Sequence, residues 1–282
     1  MKNIDCLISK VDLKELSHLK VGSMADVYFP KSYEDLKLIY EKFGDEEKFP
    51  IGGGSNTLFK DEHNKILISD KFLPKKIKIA GNIIKVSSNY NINAFLMKMA
   101  ANNLGGLEFL AGIPANIGGL TFMNAGANNK EIFQFIDSVL VLENSGKQRL
   151  FRKDELNLNY RCSNIRGFIL EVNFKLDIDS KENIMKKIAM NIMKRKNSQP
   201  IKKPNLGCFF KNPSGSSAGK LIDDLGLKGL QVGDAIVSDK HANFIINNGN
   251  ASFQNIIYLT ELIKQKVINQ FNIKLELEIK IV

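Results

Sequence analysis

No apolar run in the 282 residues approaches the roughly eighteen that a membrane span requires. Residues 1–6 also lack the long apolar core of a secretory leader. Cysteine is scarce: Cys6, Cys162 and Cys208 form an odd set without metal-ligand spacing, which excludes a disulfide scaffold and a zinc module. Arginine is scarcer than the charge implies. Lys+Arg 40 against Asp+Glu 30 gives +10, yet only Arg149, Arg152, Arg161, Arg166 and Arg195 carry a guanidinium. Nucleic-acid readers favour that bidentate, stackable group, and the lysines are spread along the chain. The charge suggests polyanionic partners such as nucleic acid, nucleotides or acidic lipid, or simply a chain rich in lysine, and a basic nucleic-acid-binding protein is the weaker reading. What is present is ordinary: 44% hydrophobic and 25% charged residues, the profile of a globular chain with room for two or three subdomains. The expectation is a reduced, cytoplasmic, soluble protein without a bound metal.

The periodicities alternate between strand and helix. Ser32, Glu34 and Asp35 precede Leu36, Ile39, Tyr40 and Phe43 at helical spacing, which predicts a capped helix. Phe49-Pro50-Ile51 predicts a strand opening into a glycine-rich loop, and Ile66-Leu67-Ile68 another strand. Hairpins are expected about Ala80-Gly81-Asn82 and about residues 143–148, a helix through Phe95, Leu96, Met99 and Ala100, and a strand over 168–176. Ser180 opens a helix with Ile184, Ile188 and Ile192 at one spacing, closed by Pro200 and Pro204, and this marks a candidate domain boundary. A short helix over 221–225, a strand over 244–246, a helix over 253–271 and an alternating strand over 275–281 follow. Strands joined both by hairpins and by helices argue for α+β subdomains over one doubly wound sheet.

Three glycine-rich stretches invite a phosphate reading, because glycine backbone can approach an anion closely and present N–H groups to it. Gly52-Gly53-Gly54-Ser55-Asn56-Thr57 lacks the third glycine of a dinucleotide fingerprint. Gly215-Ser216-Ser217-Ala218-Gly219-Lys220-Leu221 is one residue short of a P-loop and lacks the hydroxyl after Lys220. Gly112-Ile113-Pro114-Ala115-Asn116-Ile117-Gly118-Gly119 matches neither. Singly, each is as easily a tight turn as a ligand cradle.

Their order is more specific. Gly53-Gly54-Ser55-Asn56, then Leu107-Glu108-Phe109-Leu110-Ala111-Gly112-Ile113-Pro114 with Gly118-Gly119, then Met123-Asn124-Ala125-Gly126, resembles the FAD-binding region of the UDP-N-acetylenolpyruvoylglucosamine reductases (MurB). The resemblance runs on through Tyr160-Arg161-Cys162-Ser163, Ser198-Gln199-Pro200, Gly207-Cys208-Phe209-Phe210-Lys211-Asn212-Pro213, the block from Val237 to Phe244, and Leu275-Glu276-Leu277-Glu278. It implies the two-subdomain FAD-binding fold of vanillyl-alcohol-oxidase (PCMH) type plus a C-terminal α+β substrate-binding domain. The implied division is residues 1–72 completed by 271–282, then 73–198, then 199–270. It also implies NADPH-dependent reduction of UDP-N-acetylenolpyruvoylglucosamine to UDP-N-acetylmuramate for peptidoglycan synthesis, and so for cell shape and division.

By resemblance, Gly52 to Thr57, Gly112, Ile113, Pro114, Gly118, Gly119, Asn124, Ala125 and Gly126 hold FAD. The flavin is expected to be non-covalent, since no histidine or cysteine stands in the Gly52 to Thr57 loop. The same resemblance makes Arg161, Cys208 and Glu278 catalytic. The family's proton donor is a serine, and Cys208 occupies its slot. A thiol with a pKa of about 8.5 is mostly protonated at pH 7, so a donor is preserved. Alternation puts Glu276 and Glu278 on one face, so only the motif favours Glu278. Tyr160, Lys196, Lys211, Asn212 and His241 are expected to bind substrate or nicotinamide. Arg161 to Cys208 leaves little room for the tyrosine-bearing insertion of longer members, which implies the shorter subclass. The chain is expected to be a monomer, with neither nucleic acid nor membrane as a partner. The main alternative is another flavin oxidoreductase of the same fold.

Overall fold

The computed structural model describes residues 4–157 and 159–282. The chain divides into two compact units. The first takes the chain up to Ser9, Asp26–Gly53 and Asn64–Lys194, and the second Lys10–Ala25, Gly54–His63 and Arg195–Val282.

The first unit holds two larger sheets beside short two-stranded ladders. In one, Val27 and Tyr28 and the strand Lys48–Ile51 run parallel to a central strand, Ile66–Ser69. Helix α1 (Tyr33–Phe43) connects the outer two, and its predicted cap is present: Ser32 Oγ accepts from the Asp35 N–H at 3.0 Å. The other sheet is antiparallel, in the order Gln148–Arg152, Ile136–Leu142, Phe168–Lys175, Ile83–Ser87, Ile77–Ala80, and contains both predicted hairpins. Its central strand is buried on both faces, and a register shift opposite Leu140 and Val141 leaves Leu170 as an extra residue, so the parity that faces each core changes there. Phe168 and Leu170 join Leu36, Ile39, Tyr40 and Ile68. Ile169, Val172 and Phe174 join a larger core with helix α2 (Ile92–Ala100), helix α3 (Ile117–Phe122) and Ile184 and Ile188 of helix α4 (Lys181–Ser198). Ile192, predicted on that face, is 43% exposed, so only the first half of α4 is packed.

The second unit is built on helix α6 (Phe253–Phe271), at its predicted bounds. Ser252 and Asn255 form a reciprocal capping box, and Asn272 ends it at φ 55. Ile256, Leu259, Ile263 and Val267 pack with Leu221 and Ile222 of helix α5 (Ala218–Asp224), with Ala235, Val237 and Ile245 of a three-stranded antiparallel sheet, and with Phe209, Phe210, Leu275 and Ile279.

Three expectations need correction. Helix α5 starts at Ala218, three residues early, because Ser217 Oγ caps it through the Lys220 N–H at 3.4 Å. Helix α3 rises out of a stretch read as a loop. The terminal segment over 275–281 is not one continuous strand. Leu275 and Ile279 are buried as the alternation predicts. However, the backbone changes partner midway: Lys211 and Phe209 on one side of Glu276 to Glu278, then Asn56 and Leu58 beside Lys280 to Val282.

Candidate active site

Arg161 sits at the tip of a two-residue turn. Asn159 and Cys162 exchange both backbone hydrogen bonds, at 3.0 and 3.1 Å, and Arg161 between them takes φ 55. The left-handed region is uncommon for a long side chain, and such conformations concentrate at functional sites. The guanidinium turns onto the Met123 to Gly126 block: Nη2 donates to the Gly126 carbonyl at 2.8 Å and Nη1 to that of Asn124 at 3.4 Å. It also lies 4.8 Å from the Tyr160 ring centre, a cation–π arrangement. At Gly126 a Cβ would stand 2.4 Å from the Lys130 carbonyl oxygen and 3.0 Å from Arg161 Nη1, so no side chain fits there.

The first-unit glycines form a cradle of close backbone. A Cβ on Gly53 would press on Pro114 O at 3.3 Å and Ala115 Cα at 3.4 Å. Gly118 donates to Ser88 O at 2.7 Å, and its Cβ would strike Ser88 Cβ at 2.8 Å. Asn93 pins Gly112 and Ile113, accepting from the first at 2.8 Å and donating to the second at 2.9 Å. Gly119 is exposed, with nothing within 4 Å of its would-be Cβ, so the cradle is open there to an approaching anion. Ala125 packs against the core, and Asn124 is fully buried.

Asp70 was missed by sequence reasoning, since an aspartate at a strand end carries no signal. It is buried beside this cradle: its Oδ2 would be 3.6 Å from a Cβ on Gly52, and Asn116 Nδ2 donates to it at 3.2 Å. Burial pushes its carboxyl from the ordinary 3.8 up to about 6, against the opposing Asn116 hydrogen bond and Lys75 charge. The raised value means that the folded state holds the proton more tightly than the unfolded one. Stability should therefore fall as pH rises from about 4 to about 6, by up to roughly 3 kcal/mol. Asp70→Asn should be more stable than the parent at pH 7 and equal to it near pH 4 in urea titrations. An equal difference at both pH values would refute this assignment.

In the second unit the predicted residues cluster about the terminal segment. Gly54 has φ +64, and a Cβ there would overlap Leu16 O at 1.8 Å. Asn56 Nδ2 donates to Glu278 O at 3.3 Å, and Thr57 pairs with Lys280, so this end of the loop is stitched to the segment carrying Glu278. Ser55 is half-buried. Glu278 N–H donates to Phe209 O at 2.8 Å, which puts the backbones of Cys208 and Glu278 on adjoining segments. Cys208 is part-exposed as a residue. Asn243 fixes this stretch, accepting from Phe210 N–H at 2.9 Å and donating to Phe210 O at 2.8 Å. Arg195, also unassigned from sequence, lies near Cys208: burial lowers its pKa and the Cys208 sulfur raises it.

The structure separates the two terminal glutamates. Glu276 is 72% exposed and pairs with Lys211 at 3.3 Å, a contact worth little in water, whereas Glu278 is half-buried. Asn212 Oδ1 accepts from the Ala218 N–H at 3.1 Å at the start of α5. His241 Nδ1 accepts from the Asn243 N–H at 3.2 Å, its ring lies 4.8 Å from that of Phe244, and burial lowers its pKa, so it is held neutral. Tyr160 and Lys196 are exposed, with the Lys196 carbonyl accepting from Lys240. Arg161 belongs to the first unit, Cys208 and Glu278 to the second. Among the described residues, no cluster of three or more His, Cys, Asp or Glu could hold a metal, and no helix is long and apolar enough to cross a membrane.

Comparison with known families matches residues 25–151 to the FAD binding domain and residues 199–282 to the C-terminal domain of UDP-N-acetylenolpyruvoylglucosamine reductase. The reductase of Clostridium tetani is 40% identical over 276 residues, 96% of this chain and 90% of that protein. That of Fusobacterium nucleatum is 36% identical over 98% of this chain and 99% of its own. The crystal structure of the enzyme (MurB) from Thermus caldophilus superposes with a TM-score of 0.84 at 34% identity, over 97% of this chain and 98% of that one. The fold is thus the α+β FAD-binding fold of PCMH type followed by a C-terminal α+β domain. With the cradle fitting its dianionic diphosphate, FAD is the cofactor. At this identity, over nearly the whole length of the relatives, the chain belongs to the UDP-N-acetylenolpyruvoylglucosamine reductase (MurB) family.

Proposed function

We propose that this oxidoreductase reduces UDP-N-acetylenolpyruvoylglucosamine to UDP-N-acetylmuramate with electrons from NADPH, and that Cys208 supplies the proton. The observation that carries the reading is the part-exposed Cys208, in the slot of the family's serine, on a segment bonded to that of Glu278. FAD, when bound, passes the two electrons of NADPH to the substrate as a hydride. Gly52, Gly53, Gly112 to Pro114, Gly118 and Gly119 would hold it through close backbone, with Gly54 to Thr57 continuing the same loop. The hydride enters at the vinyl carbon farther from the ether oxygen, which leaves enolate character beside the substrate carboxylate. Arg161, permanently charged and held by two carbonyls, stabilises that charge, with Glu278 as its catalytic companion. Cys208 S–H then protonates the alpha carbon, and the thiolate recovers its proton from solvent. Lys211, Asn212, Tyr160, Lys196 and His241 serve the anionic substrate and nicotinamide. Residues 1–72 with 271–282, and 73–198, act as the two FAD subdomains, and 199–270 as the substrate domain. The enzyme works as a cytoplasmic monomer.

The test is to purify the chain, record the visible flavin spectrum, and follow NADPH oxidation with and without the enolpyruvyl substrate. Substrate-dependent oxidation in a yellow protein is expected. Oxidation only with some other acceptor would assign a different flavin reductase. Failure to bind added FAD would return the basic charge to nucleic acid.

A further inference from the structure

The geometry points to Asn124 as a positioning residue for Arg161 and not as a side chain that touches the flavin. The inference rests on the catalytic reading of Arg161 above. Asn124 is fully buried, and its amide is already committed. Nδ2 donates to Glu131 Oε2 at 2.8 Å and to the carbonyl of Asn159 at 3.1 Å. Oδ1 accepts from the Phe133 N–H at 3.3 Å. An amide carries two N–H donors, and both are used, so neither is offered to a ligand.

What these bonds hold is the frame of Arg161. Asn159 is the base of the two-residue turn that presents Arg161, and the main-chain oxygen of Asn124 itself receives Nη1. Gly126, whose carbonyl receives Nη2, pairs with Glu131 in a short ladder closed by Asn128 and Asn129, both at positive φ, as a tight hairpin turn requires. The Asn124 amide thus ties together the turn that carries the guanidinium and the ladder that receives it. Asparagine suits the position twice over: it tolerates φ +41, and it donates to a carboxylate and a carbonyl at once. Aspartate would lose both donors and face Glu131 with like charge.

The experiment uses Asn124→Gly, which keeps the backbone conformation and removes the tether, and Asn124→Asp, which keeps the shape. Stopped-flow measurements should separate reduction by NADPH from reoxidation by substrate, with FAD affinity read from quenching of free flavin fluorescence. Asn124→Gly should slow reoxidation on the order of 10–10²-fold, the usual cost of a misplaced catalytic group. FAD affinity and reduction by NADPH should stay within about 3-fold of the parent, the scatter expected of an uninvolved group. Asn124→Asp should lose reoxidation at pH 8 and recover it towards pH 5, where its carboxyl regains a proton to donate. Combined with Arg161→Ala, neither change should slow the reaction further. Weakened FAD binding with both half-reactions slowed would overturn the inference in favour of flavin contact. A full additional loss on top of Arg161→Ala would overturn it in favour of action elsewhere. If Arg161→Ala alone leaves reoxidation intact, it is the reading of Arg161 that has failed.

Discussion

Cys208→Ala should slow reoxidation of the reduced enzyme by substrate on the order of 10²–10⁴-fold, while reduction by NADPH continues. The asymmetry follows from what the thiol does. It takes no part in moving electrons from the nicotinamide, and it is needed only when the alpha carbon must be protonated. Cys208→Ser should remain active, because a hydroxyl at the same atom position offers a proton with similar reach. The cysteine and serine enzymes should differ only in the donor atom, sulfur in one and oxygen in the other. The cysteine enzyme should also be sensitive to oxidants, because Cys208 is part-exposed. Near-full turnover in the alanine variant would remove Cys208 from the mechanism.

Gly54→Ala is expected to have the largest effect on stability, about 3–5 kcal/mol from left-handed strain plus overpacking. The new Cβ would overlap the carbonyl oxygen of Leu16, a backbone atom that cannot rotate away, at a residue with φ +64. The consequence should be a lower urea midpoint, with loss of the bond from His18 N–H to Gly54 O at 3.0 Å. Gly119→Ala provides the contrast. Nothing lies within 4 Å of that position and alanine is the better helix former in α3, so the apoprotein should unfold at or slightly above the parental midpoint while FAD binding weakens. A Gly54→Ala protein with an unchanged midpoint would show that the Leu16 contact yields without cost.

Local chemistry was the legible part of the fold. Ser32 and Ser180 announce helices by residue type alone, and the caps are there: their side chains accept from Asp35 and Asn183, as that of Ser252 does from Asn255. Helix α3 was not legible because Gly118 and Gly119 are poor helix formers. Tertiary contact overrides that propensity, with the Ile117 and Gly118 N–H groups bonded to Tyr90 and Ser88. The terminal segment shows the limit of periodicity: its side-chain alternation survives, but no pattern could reveal that it changes partners midway. Periodicity likewise put Glu276 and Glu278 on one face and did not reveal that they differ in exposure. Motif order located Arg161 and Cys208, but not the residues that hold them. Asn243 acts on the backbone of Phe210, and Asp70 meets the side-chain amide of Asn116; both partners are distant in sequence, which a single chain read in order does not disclose.

The stitching of Asn56 to Glu278 spans 222 positions. During synthesis, therefore, the loop from Gly54 to Thr57 cannot be closed when it emerges, since Lys280 and Ile281, which pair with Thr57 and Leu58, emerge far later. A nascent or prematurely terminated chain would lack half of this loop's anchoring and the Glu278 segment together. Cofactor capture is thereby coupled to synthesis of the segment from Glu278 to Ile281, and a chain that stops short of it should be an apoprotein, not a partially active flavoenzyme.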